Sequence, residues 1–149
     1  AAVMMAFALP AFNDFITQRE MTTNVNAMVS AVNYARSEAS RIGSTVSVQA
    51  QDAGDSDNEW GPGFCVTVGD PGNCDAALQA FSMAGTITFD GVGGLQALDS
   101  LTYNSRGLLQ GGVLGTLELC GADADADPGR VITVNAVGRA SVLAMVCYP

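Results

Sequence analysis

From Met21 to Ile42 the apolar residues Met21, Val25, Met28, Val32, Ala35, Ala39 and Ile42 recur at alternating steps of four and three, the spacing of one stripe on an α-helix. No other feature constrains the fold as tightly, because such a stripe needs an apolar surface laid along it. Asn24, Asn26, Ser30, Asn33, Arg36, Ser37, Ser40 and Arg41 occupy much of the remaining helix surface, and Gly43 stands where a helix-ending glycine belongs. Running backward, Phe12, Phe15 and Ile16 carry the helical pattern into AAVMMAFAL, which is apolar all round. Pro10 sits inside this stretch, where its missing N–H predicts a kink. The reading is one long, bent helix over residues 1–42, far beyond the about 12 residues of an average globular helix.

After Gly43 the period changes to two. In TVSVQAQ, Val46, Val48 and Ala50 can face inward while Ser47 and Gln49 face out. Further strands are expected at Gly63–Val68, Thr86–Asp90, Leu101–Asn104, Leu114–Cys120, Arg130–Asn135 and Ala140–Val146, separated by Gly, Pro, Asn and Asp clusters. No βαβ alternation appears. The expected fold class is therefore α+β, with the long N-terminal helix packed on a mainly antiparallel sheet. A division follows: a helix at 1–42, whose residues 1–20 are its apolar part, and a β-rich head at 43–149. With 149 residues and 48% hydrophobic composition, one core suffices.

Charge and inventory narrow the function. Fifteen Asp and Glu face six arginines, with no lysine or histidine, for a net charge of −9. That balance argues against a broad nucleic-acid surface. Without histidine the chain lacks the commonest general base and metal ligand. There is no GxSxG, and no serine or cysteine has a histidine partner, so no catalytic residue and no cofactor is assigned. Cys65, Cys74, Cys120 and Cys147 are not spaced as a zinc site. They point instead to two disulfides in an oxidising compartment, with three pairings open.

Two acidic loops suggest calcium, since Asp55, Asp57 and Glu59, and Asp123, Asp125 and Asp127, place carboxylates at alternate positions. An EF-hand loop needs glycine sixth and a bidentate glutamate twelfth. The first loop has its glycine one place late and Val66 twelfth; the second has Pro128 in place of the glycine and Val134 twelfth. Solvated surface loops are the better reading. Arg130 and Arg139, in or beside the last two expected strands, could form a small cationic spot for phosphates, with Asp127 or Glu118 as the competing ion-pair partners.

The apolar start ending in ALPAF, the helix carrying NYARSEASRIG, the elements LTYNSRG and GTLELC, and the closing GRVITVNAVGRASV resemble, in that order, the GspH/FimT family of minor pilins and pseudopilins. The final signature falls on Arg130, Ile132, Val134, Asn135, Gly138 and Arg139. The resemblance implies a scarce, non-catalytic filament subunit, made as a prepilin and N-methylated after cleavage. Its helix would sit in the inner membrane before assembly and pack in a filament core afterward, with the head in the periplasm or on the filament's outside. Other pilin or pseudopilin subunits are the implied partners, met through Phe12, Phe15, Ile16, Met21, Val25 and Met28. The cysteines resemble the type IV pilus branch more than the type II secretion branch, which implies pairing Cys120 with Cys147 and Cys65 with Cys74. Some FimT-like members bind DNA through a GRxR-like segment; here it reads Gly138-Arg139-Ala140-Ser141, which keeps the first arginine only. Nine residues before Pro10 are short of the about 20 that span a bilayer. The resemblance thus implies that about a dozen further residues once preceded Ala1, assuming a full span.

Overall fold

The computed structural model describes residues 2–51, 58–69, 73–83, 85–92, 99–112, 115–121 and 128–147, with side chains described from residue 12 onward except at 112 and 128. Helix α1 runs Ala2–Ile42 without a break, Pro10 included. It ends as expected at Gly43, which takes a φ of +67° and returns its N–H to the Ala39 carbonyl at 3.0 Å; that positive φ is the conformation only glycine enters freely.

Eight strands follow among the described residues: β1 Val46–Ala50, β2 Phe64–Val68, β3 Gln79–Phe81, β4 Thr88–Val92, β5 Ser100–Tyr103, β6 Gly115–Cys120, β7 Pro128–Val134 and β8 Ala140–Val146. They form two four-stranded sheets, β3-β2-β1-β5 and β4-β6-β7-β8, in which every pairing is antiparallel. The expected antiparallel head is therefore divided in two. Strand β3, unforeseen in the sequence, is three residues long and borders β2 beside the disulfide from Cys65 to Cys74.

Both sheets turn apolar residues toward one face of the helix. Met21, Val25, Met28, Ala31, Val32, Ala35 and Ala39 pack in one core with Val46, Val48, Phe64, Val66 and Leu101 of the first sheet and Phe89, Leu117, Leu119, Ile132 and Val134 of the second. One aromatic contact crosses directly between the sheets, and Trp60 bridges its two rings. Phe64 meets Phe89 edge-on with ring centres 6.3 Å apart, an arrangement favoured by the charge distribution of aromatic rings. Far from this cluster, a Cβ on Gly138 would lie 2.5 Å from Cε1 of Tyr103, so the β7–β8 turn rests directly on the end of β5.

The outward face of the first sheet is not simply wet. Ser47 is buried, donates to the Gly69 carbonyl and shares a 2.9 Å hydrogen bond with the Thr102 hydroxyl. Gln49 reaches Sγ of Cys74 at 3.5 Å. Gly69 and the disulfide-bonded Cys74 lie against this side, and Ser47, expected to face solvent, is enclosed. The second disulfide joins Cys120 to Cys147 and ties the end of β6 to the residue after β8. This is the pairing that the resemblance implies.

Candidate interaction surface

A helix longer than the body it packs on must present two environments. From Met21 onward the stripe is spent inside the head: Met21, Val25 and Met28 are 2%, 7% and 0% exposed. Ahead of Met21 the described apolar residues of the same helix are open, with Phe12 62%, Phe15 53% and Ile16 40% exposed. Of the six residues expected to meet a partner helix, three are thus withdrawn into the chain's own core, because the sheets reach back along the helix as far as Met21. Arg19 lies over the Phe15 ring, 4.8 Å from its centre, a cation–π contact on an exposed surface. No helix among the described residues is long and apolar enough to cross a membrane.

A second apolar surface lies on β8, at the open edge of the second sheet. Val142, Leu143 and Val146 are 39%, 65% and 65% exposed, on a strand with neither charge nor proline to block further pairing.

The polar candidates divide differently from the sequence expectation. Arg130 pairs in register with Ala144, whereas Arg139 lies beyond the row of Val134 and Ala140. Four rows at about 3.3 Å each put these arginines more than about 13 Å apart along the hairpin, so they form no common spot. Arg130 donates to the Gly129 carbonyl at 2.9 Å. Arg139 instead belongs to another group, whose members sequence spacing did not bring together.

That group is built by two turns of the same design. Asn104 and Asn135 each accept a bond at their carbonyl from the glycine three residues on, Gly107 at 2.8 Å and Gly138 at 2.7 Å. The Asn104 side chain accepts from the N–H of Arg106 at 2.9 Å and of Leu108 at 3.2 Å; that of Asn135 accepts from Arg139 N–H at 2.9 Å. Both glycines take positive φ, +71° and +78°. The repeated Asn-x-x-Gly in NSRG and NAVG is the signal that could have matched the two turns beforehand. Gly107 also sits on the helix, where an added Cβ would meet Cγ of Arg36 at 3.2 Å and Oγ of Ser40 at 2.9 Å. Tyr103 is wholly buried here, its hydroxyl without a hydrogen-bond partner. Burial pushes its phenol far above the usual range, opposed by the Arg36 charge.

Of the acidic candidates, Asp55, Asp57, Asp123, Asp125 and Asp127 lie outside the described residues. Glu59 is buried, 3% exposed, in the turn before β2, with Oε2 unpartnered. Burial, and secondarily the Glu59 charge, pushes the Asp99 carboxyl up. Among the described residues no three carboxylate, cysteine or histidine side chains gather as a metal site.

Comparison with known proteins adds relatives to this geometry. The family described as type II transport protein GspH matches residues 24–138. The fold is similar to that of the Pseudomonas aeruginosa type IV minor pilin FimU, with a TM-score of 0.71 and 28% identity over 90% of this chain and 99% of that one. A second crystal form of FimU gives 0.67 and 27% over 85% and 99%. The Vibrio cholerae minor pseudopilin EpsH of the Type 2 Secretion System shares the fold, with a TM-score of 0.59 and 15% identity over 84% and 97%. No curated protein sequence matches the chain.

Proposed function

The chain belongs to the GspH family, and from that premise we propose that it is a minor pilin-like structural subunit of a type IV pilus, contributing to assembly through contacts with other subunits. The observation that carries this reading is the change of environment along α1. Phe12, Phe15 and Ile16 are exposed, while Met21 and the stripe beyond it are buried. An isolated apolar helical stretch gains stability only from something packed against it. Before assembly that would be the inner membrane, with the head in the periplasm; after assembly it would be the helices of neighbouring subunits. The protein works by packing and has no chemistry of its own on this reading. On this reading residues 1–42 are the pilin helix, with 1–20 its filament part, and 43–149 are the head.

The likeness to a type IV minor pilin at 28% identity over 90% of the chain supports the pilus branch. An H-type pseudopilin of a type II secretion system is the second reading, favoured by the description of the matching family. The DNA-binding alternative loses support from the separation of Arg130 and Arg139.

The test is cysteine cross-linking in cells at Phe15→Cys against cysteines in the helices of candidate partner subunits. Cross-links to type IV pilins, with fewer surface pili when the gene is deleted, are expected. Cross-links confined to secretion pseudopilins would move the protein to the second branch, and none to either would refute both.

A further inference from the structure

The six arginines of this chain fall into two groups. Arg19 stacks on Phe15, Arg41 is held by Glu38 in a two-bond ion pair, and Arg130 donates to a backbone carbonyl. Arg36, Arg106 and Arg139 have no ion-pair partner among the described residues. These three stand on neighbouring stretches of backbone. Gly107, next to Arg106, packs on Arg36, and an added Cβ on Gly138, next to Arg139, would lie 3.3 Å from the Gly107 carbonyl oxygen. Arg106 and Arg139 are exposed and Arg36 half-buried.

Gathering three like charges is unfavourable unless a counter-charge arrives, and here the backbone is spent on holding two of them in place. Each flanking turn is braced by an asparagine side chain, and each depends on a glycine at positive φ. The turns are pre-organised, so little backbone ordering remains to be supplied on binding. Elsewhere the molecule is acidic, at −9 overall, so this pole is its one described concentration of free positive charge.

We propose that the pole formed by Arg36, Arg106 and Arg139 binds a carboxylate-rich segment of another polypeptide, for which a neighbouring subunit is the natural donor. Guanidinium groups offer paired N–H donors that match carboxylates. A protein segment is favoured over a nucleic acid by charge. A duplex carries a phosphate charge every ~1.7 Å of axis and would extend past the pole along a chain whose net charge of −9 repels it. A short acidic segment meets the pole alone.

The inference deepens the proposed function by naming what the head recognises, and it is tested without a filament. Fluorescence anisotropy with a labelled oligoglutamate peptide at physiological salt compares the protein with two double variants of equal net charge. Arg106→Gln with Arg139→Gln should weaken binding roughly tenfold, whereas Arg19→Gln with Arg130→Gln should leave it nearly unchanged. Both variants should keep the circular dichroism spectrum of the parent. Absence of saturable peptide binding, equal loss in the two variants, or displacement of the peptide by a lower charge-equivalent concentration of duplex DNA would each overturn the proposal. Failure here leaves the cross-linking test of the subunit role unaffected.

Discussion

Gly138 shows how much can hang on a missing methyl group. Its φ of +78° already disfavours any side chain, and an added Cβ would stand 2.5 Å from Tyr103. Gly138→Ala should therefore cost about 2–4 kcal/mol in chemical denaturation, from backbone strain and overpacking together. Two carboxyls set opposite trends with pH. Asp99 is raised by burial and then by Glu59, so its contribution to stability is present below the ordinary carboxylate pKa and is lost as pH rises through the folded value. Asp99→Asn should raise the melting temperature at neutral pH and change it little in acid. Glu38 is lowered by its hydrogen bond to Arg41; its contribution is present above the ordinary pKa and disappears as pH falls through the folded one. At this scale the sequence was readable wherever a residue type carries its own geometry. Gly43 was legible as a helix end because positive φ selects glycine. The neighbourhood of Arg36, Arg106 and Arg139 was not, because it depends on how one turn packs on the helix and a distant turn packs against that one.

Helix α1 divides into halves with the same chemistry and different consequences. Met28→Ala should destabilise the head by about 2–5 kcal/mol, since it empties a fully buried site, whereas Phe15→Ala should change stability by less than about 0.5 kcal/mol. Equal losses for both in urea unfolding would mean that the front of the helix is covered by the chain itself. The stripe's periodicity exposed the helix in the sequence, yet Met21, Val25 and Met28 read identically whether they meet a sheet or a partner. Strands β1, β6 and β8 were recognisable by their residue preferences and flanking turns, and β8 begins and ends where it was expected. Strand β3 was not, because a three-residue segment acquires its conformation from β2 and the adjoining disulfide. The split into two sheets likewise follows from packing, with the Trp60, Phe64 and Phe89 contact joining them under the helix.

For the whole molecule, the governing fact is that α1 is continuous from Ala2 to Ile42, with no described interruption between its exposed and buried parts. Each residue of an α-helix advances about 1.5 Å and turns about 100°. On the proposed function the helix acts as a screw thread shared by two bodies: the phase at which neighbours grip its front would dictate the azimuth at which the head points. One alanine inserted between Ile16 and Thr17 should leave the head's melting temperature within about 2 °C, yet rotate the head by about 100° relative to the front. Incorporation into filaments, scored by immunoblot of sheared surface material, should then fall sharply. An insertion of about 18 residues, five full turns, would restore the azimuth while displacing the head by about 27 Å, so rescue by that variant would separate angular registration from reach.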